Sequence, residues 1–359
     1  MDVNYQSENS YPRQKVFNHS QRFIEGWYWA IPSRMLKKGE IKTVEIVGRE
    51  LIIYRSTDGQ LICCDAYCPH LGAHLHQGIV EDSSIRCSSH GWKFNAEGIC
   101  IEIPCLDEPL PLKIKTWPID EKYGIIWIWT GKIAQQPLPY VPELELQACA
   151  SSLGKSFVKN CHPNVVMINA IDVHHFNTVN PWSREILFDK QELNYNAIKF
   201  DRTIQPGEGF WWINWIRWFC KHNIHYSICY WYGCIGIVTI GPDFLHLHIM
   251  FALRLLEGKK ADIQPIFITK KYSGIFGSIV NKLILLLTKF LSIFLIKGKR
   301  RILRQISFNF QTPTRADLSV IQFVQHINKQ KALNWRTWQE PIPPPPPTGA
   351  NNRDVLTND

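Results

Sequence analysis

The chain has 359 residues, 45% hydrophobic and 20% charged, with a formal net charge of +9, enough for two domains with proper cores. The positive charge suits a docking face for an acidic protein partner. It does not argue for nucleic acid, because no Lys/Arg run is long; the densest is Lys297-Gly-Lys-Arg-Arg301, with Arg304 following. The eleven Cys are odd in number and scattered without a disulfide-like frame, and Met1 to Lys15 is polar with no apolar stretch of a secretory signal. Together these predict a cytoplasmic chain in a reducing compartment. There is no phosphate loop and no dinucleotide Gly motif, so reducing equivalents from a nicotinamide must arrive through another protein.

Residues 1–25 read as a polar arm. From Gly26-Trp27-Tyr28-Trp29-Ala30 the pattern changes to short β-rich runs. Val44–Val47, Leu51–Tyr54 and Leu61–Cys64 are separated by turn signals at Gly48-Arg49 and Asp58-Gly59. Further runs at Ile101–Pro104, Leu112–Lys115 and Ile125–Trp129 complete a small antiparallel β domain, and the Pro-rich stretch Pro137–Pro142 reads as a linker.

Within that domain lie Cys68-Pro69-His70-Leu71-Gly72 and Cys87-Ser88-Ser89-His90-Gly91-Trp92. Each half offers one thiolate and one imidazole. Two Cys and two His suit a structural zinc; they equally suit a Rieske [2Fe–2S] centre, in which two His replace two Cys on one iron. The flanking Pro69, Gly72 and Gly91 permit tight loops whose backbone N–H groups can point at cluster sulfurs. With these flanks the pair resembles the two Rieske loops. Residues 26–131 resemble the Rieske domain of the ring-hydroxylating oxygenase α-subunit family, through Trp27-Tyr28, both loops and the closing Gly124–Gly131. Ser88 departs from that pattern, which commonly has Pro there. The resemblance implies a [2Fe–2S] cluster on Cys68, His70, Cys87 and His90.

The same resemblance implies an α+β fold: an all-β Rieske domain over 26–135, then a helix-flanked antiparallel-sheet (helix-grip-like) catalytic domain over 143–335 around a mononuclear Fe(II). The family pattern Asn-x2-Asp-x2-His-x4-His is met by Asn169, Asp172 and His175, but Asn180 stands where the second His belongs. In the family the two His and a later carboxylate bind iron with positions left open for O₂. The Asp orients a ligand His and links it to the Rieske His of a neighbouring subunit. The carboxylate expected near Arg300–Gln305 is also missing; no Asp or Glu lies between Asp262 and Asp317. The iron site is therefore lost, rebuilt from donors such as His174, His162, Asn180 or Asp317, or completed by Glu257, Asp262 or Asp317.

The aromatics of residues 209–234, among them Trp211, Trp212, Trp215, Trp218, Tyr226, Tyr230, Trp231 and Tyr232, fit sheet core first and an apolar substrate pocket second. His246 and His248 share one strand face and fit exposed or satisfied histidines better than a metal pair. Ser273–Ile296 reads as an amphipathic helix packed on the protein, with membrane-surface contact the less favoured alternative; Lys282 and Lys289 stand one heptad apart on it. Leu318, Ile321, Val324 and Ile327 mark a second helix, and 336–359, with Pro343–Pro347, a disordered tail. The expected function is O₂-dependent hydroxylation, demethylation or desaturation of a small apolar substrate. A ferredoxin or its reductase supplies the electrons, and the chain forms a homotrimer. The alternative is a non-catalytic electron-transfer or scaffold subunit.

Overall fold

The computed structural model describes residues 16–173, 188–204, 224–297 and 314–333. Its first half is built of short antiparallel strands: Phe23–Ile24 (β1), Trp27–Pro32 (β2), Ile41–Ile46 (β3), Arg49–Arg55 (β4), Leu61–Asp65 (β5), Ile79–Glu81 (β6), Ser84–Arg86 (β7), Lys93–Phe94 (β8), Cys100–Glu102 (β9), Ile119–Lys122 (β10) and Ile125–Trp129 (β11). β3, β4 and β5 form one sheet, β6 to β9 another, and β10, β11 and β2 a third. Leu51, Ile52, Ile53 and Tyr54 of β4 are all buried. Successive side chains leave a strand on opposite faces. Leu51 and Ile53 accordingly enter one core, while Ile52 and Tyr54 enter a second, smaller one that also holds Cys68, Cys87 and Trp92.

The second half contains Cys149–Leu153 (β12), Phe157–Lys159 (β13), helix Pro163–Ile168 (α1), Asp189–Asn194 (β14), Ala197–Ile204 (β15), Ile224–Trp231 (β16), Ile235–Pro242 (β17), Leu247–Leu256 (β18) and Lys260–Lys270 (β19). Helices Gly274–Lys297 (α2) and Leu318–Lys329 (α3) and the short strand Ala332–Leu333 (β20) follow. An eight-stranded antiparallel sheet runs β12-β19-β18-β17-β16-β15-β14, with β13 also on β19. This is the expected α+β arrangement of an all-β domain followed by a helix-flanked sheet.

Three details differ from the sequence reading. The later part of the polar arm is tied in: Val16 and Phe17 are buried, their amides donate to Asn328 Oδ1, and β1 pairs with β20. An adjacent apolar pair in a polar context supplies the reason, since Phe17 packs edge-on to Phe323. The Pro-rich stretch is packed, with Leu138 and Val141 buried and the Pro137 carbonyl accepting from Tyr232 Oη at 2.7 Å. In α3 the inward stripe is Val320, Phe323, Val324 and Ile327, leaving Leu318 exposed. The residues of the proposed tail, 336–359, lie outside the described residues.

Both halves share one core, in which Trp27, Trp29, Trp127 and Trp129 join Tyr230 and Trp231. Arg254 of β18 fastens the two halves together. Its guanidinium donates to the Ala30 carbonyl at 2.9 Å, lies over the Trp29 ring at 4.1 Å, and pairs with Asp262 at 3.0 Å. Replacing Arg254 by Ala removes all three contacts and leaves the largely buried Asp262 unpaired. The expected cost is about 2–4 kcal/mol, read as a lower urea midpoint with an unchanged m-value; an unaltered midpoint would show that the halves do not depend on it.

Candidate functional site

The two loops of the first domain repeat one hydrogen-bond frame. The Cys68 amide donates to the Ala73 carbonyl at 2.9 Å, and the Gly72 amide returns to the Cys68 carbonyl at 3.0 Å. In the other loop the Cys87 amide donates to the Trp92 carbonyl at 2.8 Å, and the Gly91 amide to the Cys87 carbonyl at 3.0 Å. Gly72 and Gly91 sit at φ +74° and +72°, where side chains are strained. At Gly91 a Cβ would also stand 2.8 Å from Pro104.

This frame buries both cysteines and leaves both histidines exposed. The His70 and His90 rings lie 4.6 Å apart, and the buried indole of Trp92 stacks on His70 at 4.4 Å, 7° from parallel. Burial pushes the Cys68 thiol up to about 11, opposed by a hydrogen bond from the His70 amide to its sulfur; neighbouring Cys87 pushes the same way as burial. Ligation as thiolate to a metal removes that penalty. The donors thus form a buried sulfur pair and an exposed imidazole pair. Among the described residues no three His, Cys, Asp or Glu are grouped around one ion. A tetrahedral zinc needs its donors about a single point, whereas a Rieske cluster takes one pair on each of two irons. The residues fit the [2Fe–2S] group.

In the second domain, α1 ends at Asn169, whose amide nitrogen donates to the Val165 and Val166 carbonyls. Two strand tyrosines add to the bonds at this end: Tyr230 Oη donates at 2.8 Å to the Met167 carbonyl, which also accepts from the Ala170 amide, and Tyr226 Oη donates to the Ala170 carbonyl at 3.3 Å. The segment running on to half-buried Asp172 is thereby pinned to the sheet. Beneath it is an apolar cavity of about 120 Å³, lined by Met167, Asn169 and Ala170 on the helix side and by Tyr226, Val238 and Phe251 on the sheet side. Gly236 keeps it open at Met167, whose Sδ would stand 2.8 Å from a Cβ there.

His174, His175, Asn180, Arg300–Gln305 and Trp211, Trp212, Trp215 and Trp218 lie outside the described residues. The other donors considered for iron have structural duties. Asp317 Oδ2 accepts from the Thr314 amide and hydroxyl at 2.7 and 2.8 Å, capping the turn before α3. Asp262 pairs with Arg254, and His162 caps α1 through Nδ1, accepting from the Asn164 amide. Glu257 lies in the exposed turn after β18. His248 is buried, with Nδ1 2.9 Å from Thr239 Oγ1, and His246 stacks on His225. By strand alternation Thr239 faces away from Val238 and the cavity. Tyr226, Tyr230, Trp231 and Tyr232 are buried core residues, and Tyr226 serves both the core and the cavity.

Residues 26–118 match the family model described as Rieske [2Fe–2S] domain. Those residues form a Rieske [2Fe–2S] domain. Curated relatives include a cholesterol 7-desaturase of Bombyx mori, 37% identical over 47% of this chain, and one of Drosophila melanogaster, 30% identical over 66% of it. A probable 3-ketosteroid-9-alpha-monooxygenase oxygenase component of Rhodococcus rhodochrous is 30% identical over 44% of the chain. The matches cover only 38%, 57% and 41% of those relatives' lengths. Among solved structures, dicamba monooxygenase bound to dicamba superposes with a TM-score of 0.66 at 16% identity, covering 89% of this chain and 98% of that one. The chain thus shares the fold of that monooxygenase, its Rieske domain followed by a sheet-rich domain.

His162, His248 and His326 are each held at about 4 by burial, below their ordinary 6.5. The unfolded chain takes up protons that these folded imidazoles refuse. Their contribution to stability is therefore whole above pH 6.5 and is lost as the pH falls from there towards 4. Urea midpoints measured across that window should fall steadily, and His326→Asn should flatten the slope. A flat profile would show that these histidines are free to protonate in the fold.

Proposed function

We propose that this chain is the oxygenase component of a Rieske non-haem iron system acting on an apolar, steroid-like substrate by hydroxylation, demethylation or desaturation. One observation carries the reading: a cluster site with its two imidazoles at the surface shares a fold with an apolar cavity bounded by Asn169. Cys68, His70, Cys87 and His90 hold the cluster. Because the histidines face outward, electrons enter and leave there through protein contacts. An external ferredoxin or ferredoxin reductase is the donor, and Asp172 of a neighbouring copy in a homotrimer is the receiving side. The cluster's imidazole ligands place its potential above that of an all-Cys ferredoxin centre, so transfer onto it runs downhill. The steroid-like substrate class is supported by the cholesterol 7-desaturases and the ketosteroid monooxygenase component among the relatives. The scattered cysteines, without a disulfide-like frame, support a reducing, cytoplasmic setting for it.

A mononuclear Fe(II) belongs to this reading and, when bound with open positions, activates O₂. Its expected protein ligands include His175 and Asn180, so the described residues give no ligand geometry for it. The chain's own contribution near that site is to position: Asn169 closes α1, the two tyrosines fix the following turn, and Asp172 orients a ligand. The second reading, a Rieske subunit without this iron, draws on Asn180 in the place of a His and on the absence of any acid between Asp262 and Asp317.

The test is turnover of a panel of sterols and ketosteroids with a ferredoxin, its reductase and O₂, followed by product mass. A product one oxygen heavier, one CH2 lighter or two hydrogens lighter is expected. Asp172→Ala should slow it by roughly 10–100-fold with the cluster signal unchanged. No product while the cluster cycles would favour the second reading. Asn180→His separates the iron questions. A gain of bound iron marks a degenerated site; unchanged iron, with activity lost in His175→Ala, marks a rebuilt one.

A further inference from the structure

Helix α2 is amphipathic in the inverted sense. Its buried positions are small or polar: Gly277, Asn281, Thr288 and Ser292. Their needs are met locally. Asn281 exchanges two hydrogen bonds of 3.0 Å with the backbone of Tyr272, Thr288 Oγ1 donates to the Ile284 carbonyl and Ser292 Oγ to that of Lys289. The large apolar side chains face out: Phe276 is 84% exposed, Leu283 60%, Leu286 62% and Phe290 60%. With Ile275 and Leu287 they occupy a continuous arc of about 120°. The expected packing of the apolar stretch onto the protein is thus reversed, because the side of the sheet that receives α2 is matched by its small residues. A patch of this kind on a soluble domain marks an interaction surface.

Charge says what covers it. Lys282 and Lys289 are exposed and stand one heptad apart along one margin of the arc. Lys270 and Lys271 precede the helix, both exposed, and Lys297, Lys299, Arg300, Arg301 and Arg304 end or follow it in the sequence. The chain has no Asp or Glu between Asp262 and Asp317 to offset them. Two copies joined through α2 would bring these cations together, with no acid in the segment to meet them. An anionic bilayer surface receives apolar side chains into its acyl boundary and lysines at its headgroups. We propose that α2 lies in the plane of an anionic phospholipid bilayer, apolar arc inward and lysines at the headgroup level. Its other face stays on β18 and β19, which also supply lining residues of the cavity. This inference does not rest on the oxygenase reading.

The test is flotation of the full-length holoprotein with phosphatidylcholine vesicles, with and without phosphatidylserine. Binding is expected to the serine-containing vesicles and to weaken with salt. Leu283→Asp with Leu286→Asp should weaken it about tenfold or more, and Lys282→Glu with Lys289→Glu should weaken it too. An unchanged cluster absorbance shows that the variants are folded. No flotation of the wild type would overturn the proposal. So would a homodimer in solution that the same leucine substitutions dissociate.

Discussion

Two matched loops, each closed by a glycine amide returning to a cysteine carbonyl, are the constraint on which the rest depends. Four residues lie between the ends of each frame, and the conformation at Gly72 and Gly91 is one that only glycine adopts without strain. The loops turn two sulfurs into the domain's small core and two imidazoles out of it. Trp92 then sets the angle of His70 by stacking on it. The arrangement suits a Rieske cluster: two buried sulfurs, a backbone donor at one of them, and an exposed imidazole edge.

The second constraint is a shared core. Trp27, Trp29, Trp127 and Trp129 of the first domain pack with Tyr230 and Trp231 of the second, and Arg254 spans the junction. The cluster loops and the cavity under α1 are therefore held on one body. Within it the tyrosine hydroxyls act twice, filling the core with their rings and satisfying the end of α1 with their oxygens. That double use keeps the cavity apolar while its one polar lining group at the helix end, Asn169, stays fixed by bonds to Val165 and Val166.

The two loops were legible in the sequence because their cysteines, histidines and turn residues lie close together. Cys68 to Gly72 and Cys87 to Trp92 each carry a thiol, an imidazole and the turn-forming glycine within a few positions. The strand runs of the first domain were legible through alternation and Gly-marked turns. What was not legible required distant partners. Val16 and Phe17 gain their place only from Asn328 and Phe323, and Asp262 is committed to Arg254 by cross-strand register. Periodicity located α2 but not its orientation, since an apolar stripe signals a face and not which way it turns. The face of α2 that meets the sheet turned out to be the one bearing Gly277, Asn281, Thr288 and Ser292.

The most direct measurement is iron per chain on anaerobically purified protein, with electron paramagnetic resonance after dithionite reduction. A Rieske signal with about three irons per chain is expected, the cluster plus one mononuclear iron. The same signal with about two irons, unchanged after ferrous reconstitution, would contradict the oxygenase assignment, and zinc without a Rieske signal would contradict the cluster itself.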